Sequence, residues 1–301
     1  MTALAPPEGF PGLCWQLHAE ERTDMPLLLL CLHGAGASAA VWAPLAAALG
    51  ETTPAVHLDM FCLDLPAHGL HAASDGDDDQ LLAMESIKKD VLARLRLLHG
   101  DAMSTPRDIM LLGHSLGGAV AVHVAAALVL DPDAAFRPVG IVLLDVAEAT
   151  ATAALPHLRT ALRSRPRCMP SLDAAAAWLV DQRLVGSCEA ALASLPRAME
   201  RLPRGEYRWR PDLLRAEQHW EAWFAGCDEA FLALPMRKML IVSSVDVLDS
   251  ELTVAQMQGR IQVAILPNVT HGLHEDNPRA VAILLARFLE RTAPQTVPET
   301  A

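Results

Sequence analysis

The chain has 301 residues, 52% of them hydrophobic, enough to bury a full-sized core and, for an α/β fold, to form one main domain carrying an insertion. Asp and Glu outnumber Lys and Arg by 36 to 24, for a formal net charge of −12, which argues against a nucleic-acid backbone or an anionic membrane as partner. The six cysteines are scattered without a Cys-x-x-Cys pair, and two of them, Cys31 and Cys62, fall inside predicted strands, as small buried hydrophobes in a reducing compartment do.

The N-terminal stretch has prolines (Pro6, Pro7, Pro11) where a secretion signal needs an apolar core. The longest apolar runs, Leu27 to Leu32 and Ala119 to Leu130, are too short to span a bilayer. The expectation is a cytoplasmic or nuclear protein that is not secreted.

Leu13 to Ala19 reads as a short alternating strand at a sheet edge. The continuous apolar run Leu27 to Leu32 predicts a parallel strand buried on both faces, ending in His33-Gly34-Ala35-Gly36. Val41 to Leu49 reads as an amphipathic helix, and Val56 to Leu65 as a strand region closing on Pro66-Ala67-His68-Gly69. The acidic tract Asp75 to Asp79 reads as a solvated loop or helix start. Gln80 to His99 follows as a long helix with Gly100 as its stop signal.

Next comes Gly113-His114-Ser115-Leu116-Gly117, a Gly-x-Ser-x-Gly pattern between an apolar strand (Ile109 to Leu112) and an Ala/Val-rich helix (Ala119 to Leu130). That context suits a nucleophile. A serine on a tight strand-to-helix turn is held out from the sheet, and the next amide, Leu116, is aimed where an oxyanion forms at the helix N-terminus. The His-Gly-x-Gly turn after the earlier strand is of the kind that donates a second such amide, here from Ala35.

Val139 to Leu144 predicts another buried strand, ending in Asp145. From Thr150 to Leu234 the pattern turns helical, interrupted by prolines and without a strand, as a cap inserted into a hydrolase core would be. Lys238 to Ser243 resumes the sheet and is followed by Asp246. Ile261 to Leu266 is the last strand, with His271 in the loop after it, and Asn277 to Arg291 a closing helix. Strands alternating with helices imply a mostly parallel, doubly wound sheet with functional residues at the carboxyl ends of its strands, and the Gly-x-Ser-x-Gly turn between strand and helix makes the α/β-hydrolase fold the expectation. The division is a core of 1–149 and 235–292, a helical cap over 150–234, and a flexible tail from 293 to 301.

Serine, acid, histidine is the chain order of α/β-hydrolase triads, which selects Ser115 and His271. His114 belongs to the turn but points off it, His123 lies in a buried helix, and His274 reads as a loop or cap residue. The acid is open between Asp145 and Asp246: its usual place after the next-to-last strand favours Asp246, yet Asp145 also follows a strand and precedes the cap, and either could hold the imidazole. There is no His-Glu-x-x-His, no ligand spacing among the other His and Asp residues and no Gly-rich nucleotide signature, so no metal and no cofactor are implied.

Several narrower stretches resemble the protein phosphatase methylesterases. They are Met110 to His123 around the elbow, Leu144-Asp-Val-Ala-Glu148, Arg165-Pro166 with Ser171-Leu172 and Trp178, Trp209-Arg210, His219-Trp-Glu-Ala-Trp-Phe224, Leu252-Thr-Val-Ala-Gln-Met-Gln-Gly259 and His271-Gly-Leu-His-Glu-Asp-Asn-Pro278. The resemblance implies Ser115 as nucleophile, His271 as base and Asp145 as the acid. It also implies, as partner and substrate, the type-2A protein phosphatase catalytic subunit, whose C-terminal leucine methyl ester would be hydrolysed through an acyl-enzyme. Trp209 and Trp223 become candidate substrate contacts in the cap, with core packing as the alternative use of such rings. Where animal members carry a long acidic insert, this chain has a short loop around Arg201 to Glu206. Fold and triad alone do not specify the acyl group, so a small-molecule esterase or thioesterase, or a silent phosphatase-binding scaffold, are the competing readings.

Overall fold

A computed structural model describes residues 1–17, 26–52, 57–71, 79–99 and 106–292. Its frame is an eight-stranded sheet. The strands are β1 (Thr2–Leu4), β2 (Gly12–Leu17), β3 (Leu27–Leu32), β4 (Leu58–Leu63), β5 (Arg107–His114), β6 (Phe136–Leu144), β10 (Arg237–Val242) and β11 (Gln262–Ile265), in the order β1-β2-β4-β3-β5-β6-β10-β11. β1 and β2 run antiparallel at one edge, and β4 through β11 run parallel. The central strands are buried along nearly their whole length because helices cover both faces, which is why they read as unbroken Leu, Ile, Val and Met runs and not as alternations.

On one face lie α1 (Ala43–Thr52), α10 (Leu273–Asp276) and α11 (Pro278–Thr292); on the other lie α2 (Met84–His99) and α3 (Leu116–Leu130). α9 (Ser250–Met257) connects β10 to β11. The sheet-edge strand of the sequence reading spans Gly12–Leu17 within the described residues, and the strand region read from Val56 spans Leu58–Leu63. The predicted helix at Val41 begins as a 3-10 turn over Ala39–Trp42 capped by the Ser38 hydroxyl. Asp75 to Asp78, Gly100 and the tail from 293 lie outside the described residues.

Between β6 and β10 the chain forms α4 (Glu148–Ser164), β7 (Cys168–Met169), α5 (Leu172–Asp181), α6 (Cys188–Ala198), β8 (Met199–Arg201), β9 (Tyr207–Trp209), α7 (Trp220–Phe224) and α8 (Cys227–Ala233). Three short strands appear here, against the strand-free reading. β8 and β9 form a hairpin, closed by Leu202 and Glu206 and by Gly205 at φ +90°, and β7 adds to its other side. Strands of two or three residues have no measurable periodicity, so only the Pro203-Arg-Gly205 turn could have signalled them.

The two ends of this segment behave differently. Met169, Ala175, Ala176, Leu195, Met199 and Trp209 make a small core of their own, whereas Trp220, Trp223, Phe224 and Phe231 belong to the main core against α3. Among the ties of the first part to the rest is an ion pair: Arg197 on α6 reaches the fully buried carboxylate of Asp64 (2.7 Å) and the Gly12 carbonyl (3.2 Å).

Candidate active site

Ser115 sits between β5 and α3 at φ 51°, ψ −122°, a backbone conformation that a residue with a Cβ holds only when its surroundings impose it. Its N–H is bonded to the Leu144 carbonyl at the end of β6 (3.1 Å). Gly117 makes the turn possible, because a Cβ there would overlap the carbonyl oxygens of Leu32 and His33 where the first turn of α3 crosses the end of β3. Gly117→Ala is therefore expected to cost about 2–3 kcal/mol or to prevent accumulation of folded protein. Urea unfolding of the purified variant measures this, and a loss under about 0.5 kcal/mol would show that the crossing can relax.

Asp145 follows β6, itself at φ 50°, with its N–H on the Ile241 carbonyl of β10 (2.8 Å). Its Oδ1 accepts from the N–H (2.7 Å) and hydroxyl (2.8 Å) of Ser243, and its Oδ2 lies 2.9 Å from His271 Nδ1. Burial pushes the Asp145 carboxyl up, but the hydrogen bond and charge of His271 and the two bonds from Ser243 outweigh it, leaving its pKa below the ordinary value. With Asp145 ionised, His271 Nδ1–H is the donor, and Nε2 is left as a lone-pair base. Asp246 is exposed, and its carboxylate accepts from the neighbouring Ser244 hydroxyl at 3.0 Å.

Two further histidines hold the loop after β3. The His33 Nδ1–H donates to the Gly34 carbonyl (2.8 Å) while Nε2 accepts from the Leu65 amide (3.0 Å). His68 Nδ1–H donates to the Pro66 carbonyl (2.8 Å) while Nε2 accepts from the Gly36 amide (2.9 Å). Each ring is used at both nitrogens as the neutral form, and together they clip the 33–37 loop to the 65–68 loop. Gly36 is thereby spent as a donor. The Ala35 amide has no acceptor among the described residues, and the Leu116 amide, first in α3, has none within its helix. Gly34 is needed for closeness: a Cβ there would lie 2.8 Å from His114 Nδ1.

His114 is buried, with its Nε2–H on the His271 carbonyl (2.9 Å), so the residue beside Ser115 tethers the loop that carries His271. His274, read as a loop or cap residue, is instead wholly buried in α10, its ring packed on Trp42 (4.5 Å) and His114 (4.7 Å). That was hidden because four-residue α10 has too few positions to show which side faces inward.

These parts face a cavity of about 710 Å³ lined by Ser115, His271, Asp145, Ala35 and Gly36 below and by α4, α5 and α6 above. Trp209 and Trp223 line it too, but as packed rings: Trp223 is 1% exposed and its indole N–H donates to the Leu82 carbonyl (2.6 Å). Sequence reasoning missed Glu275, which also lines the cavity and accepts a bond from the Ser194 hydroxyl of α6 (3.0 Å). Burial, opposed by that bond and reinforced by Asp276, raises its pKa to about 8. Among the described residues no three His, Cys, Asp or Glu side chains gather as a metal site.

The titratable interior sets a pH profile for stability. His33, His68, His114 and His274 are all shifted down by burial, His68 and His274 to about 3. Groups of this kind protonate in the unfolded chain first, so their contribution is complete above about pH 6.5 and is lost as pH falls, each at ~1.4 kcal/mol per pH unit. Glu275, and Asp228 raised to about 7 by burial and by the nearby Asp249, work the other way. Their contribution is complete below the ordinary carboxylate range and is lost as pH rises through 7 and 8. With His123 also shifted down by burial, the histidines outnumber the two carboxyls, which puts maximum stability near pH 6.5, with the steeper fall on the acid side. Urea midpoints between pH 5 and 9 test this, and a midpoint still rising from pH 7 to 9 would contradict it.

The fold and the serine, histidine and aspartate on one cavity define a class, and residues 29–283 match the family model described as the alpha/beta hydrolase family. The chain is an α/β hydrolase. Solved structures of the same fold include an E-2-(acetamidomethylene)succinate hydrolase (TM-score 0.68, 16% identity, 92% of this chain and 94% of that one) and an M. tuberculosis esterase (TM-score 0.65, 22%, 93% and 92%). More specific is the similarity to protein phosphatase methylesterase 1 of Rattus norvegicus, 34% identical over 89% of this chain and 77% of the relative, and of Schizosaccharomyces pombe, 34% identical over 90% and 76%. The chain belongs to the protein phosphatase methylesterase family, and so to the carboxylic ester hydrolases.

Proposed function

We propose that the protein is a serine esterase that removes the methyl ester from the C-terminal leucine of the type-2A protein phosphatase catalytic subunit, with residues 150–234 acting as a cap over the site. The observation that carries the chemistry is the 2.9 Å bond from His271 to Asp145 on the cavity that Ser115 enters at a strained turn.

The Ser115 Oγ attacks the ester carbonyl carbon as its proton passes to His271 Nε2. The imidazolium is held by Asp145, and the oxyanion lies between the amides of Ala35 and Leu116 at the positive end of α3. The acyl–oxygen bond breaks, Nε2 returns the proton to the leaving methoxide, and methanol departs. Water then attacks the Ser115 ester through the same base, releasing the leucine carboxylate and restoring the hydroxyl. The apolar side chains of α4 and the cap core, among them Leu155, Leu158 and Leu195, suit an apolar terminal residue.

The test compares kcat/KM for a phosphatase-tail peptide ending in leucine methyl ester with that for p-nitrophenyl acetate and an acyl thioester. The peptide ester is expected to be preferred. Preference for the small esters or the thioester would replace the proposal with a small-molecule esterase.

A further inference from the structure

The cap contributes one arginine to the cavity that no carboxylate among the described residues pairs with. Arg159 and Arg163 on α4 lie 2.6 and 3.6 Å from the Glu217 carboxylate, Arg197 is bound to Asp64, and Arg208 to Glu200 at 2.7 Å. Arg165, just past the end of α4, lines the cavity with its guanidinium 4.7 Å from the centre of the Trp209 ring, and no carboxylate among the described residues is close enough to pair with it. The stacking occupies the guanidinium face and leaves its N–H edge without an acceptor among the described residues. The Trp209 indole N–H likewise has no acceptor among the described residues. Burial lowers the Arg165 pKa to about 10, with the charge of Asp212 only partly offsetting this, so the cation is held partly out of water with a carboxylate in its field but none paired to it among the described residues.

A desolvated cation without a partner is unfavourable unless something supplies the anion, and a cavity wall is where a substrate can. A planar guanidinium edge matches a carboxylate with two parallel hydrogen bonds. The ester itself is neutral and is taken by Ser115, so the carboxylate must come from elsewhere on the substrate chain. We propose that Arg165 is a specificity residue that binds an acidic side chain of the peptide ester, upstream of the residue whose methyl ester is cleaved. This rests on the methylesterase reading and adds to it a sequence requirement on the peptide.

The experiment uses the full chain and a set of peptides ending in leucine methyl ester, each with one upstream position occupied in turn by Glu, Gln or Lys. For the wild-type protein, one position is expected to show kcat/KM for Glu over Gln higher by on the order of 10- to 100-fold, the range of a charge-assisted hydrogen bond. In Arg165→Gln that ratio should fall to about 1, and in Arg165→Glu the same position should come to favour Lys, with far-UV circular dichroism confirming that both variants are folded. The wild-type scan needs no variant, so it decides the matter even where a substitution unfolds the cap. Equal turnover of Glu and Gln peptides at every position, or a Glu preference that survives Arg165→Gln, would overturn the inference while leaving the esterase intact. Failure of wild-type protein to cleave any of the peptides while it turns over p-nitrophenyl acetate would instead remove the methylesterase reading, and this inference with it.

Discussion

Ser115→Ala is expected to lower kcat for peptide methyl ester hydrolysis by about 10⁵- to 10⁶-fold, to the residual rate that binding and oxyanion amides supply without a nucleophile. The size follows from the assignment of roles, because His271 has no hydroxyl proton to remove from an alanine and no acyl-enzyme can form on it. The fold should be untouched. Alanine keeps the Cβ, so the strain at φ 51° is unchanged, and the hydroxyl makes no hydrogen bond that caps α3. Steady-state kinetics together with a urea midpoint checks both halves. A variant within tenfold of wild type would remove Ser115 from the mechanism.

The second large effect separates two aspartates that chain order leaves equivalent. Asp145→Asn should reduce kcat by about 10⁴, because an amide in that place either presents its NH₂ to Nδ1 and turns the lone pair inward, or accepts from Nδ1–H without the charge that stabilises the imidazolium. Asp246→Asn should stay within about twofold, since among the described residues its exposed carboxylate accepts only from the neighbouring Ser244 hydroxyl. The measurement is kcat for both variants on the same ester over a pH series. A larger loss in Asp246→Asn would require His271 to take a different partner during turnover from the one that it has in this structure.

What the sequence reveals here depends on range. The continuous apolar runs of β3 and β5 and the glycines around Ser115 are local signals, and the structure has a strand or a tight turn at each of them. Ser115, Asp145 and His271 are also legible as positions, because each follows a strand, and a parallel sheet gathers strand ends on one edge. Partnerships across the chain are not legible in that way. Asp145 and His271 are 126 residues apart, and strand position by itself does not select Asp145 over Asp246; only the family resemblance of Leu144 to Glu148 points to Asp145, and the contact with His271 is seen only in the structure. The clips made by His33 and His68 join segments 32 residues apart through single ring nitrogens, which leave no periodic trace.

The cap shows the same limit. Its tryptophans look alike in sequence, yet Trp220 and Trp223 are packed into the main core while Trp209 belongs to a separate cluster under Arg165. Helical spacing says that a face is buried, not against what. Glu275 is not legible in the same way, because an acidic residue beside Asp276 at a helix start has the pattern of surface charge, whereas in the structure it accepts from Ser194 on α6 at the cavity wall.

The central claim is that this site demethylates a folded phosphatase. The most direct measurement is to incubate the protein with methylated type-2A phosphatase catalytic subunit and follow the mass of the subunit's C-terminal peptide together with released methanol. The account predicts loss of the methyl group with one methanol formed per subunit, and no loss with Ser115→Ala. A terminal leucine that stays methylated under conditions where the protein hydrolyses p-nitrophenyl acetate would contradict it.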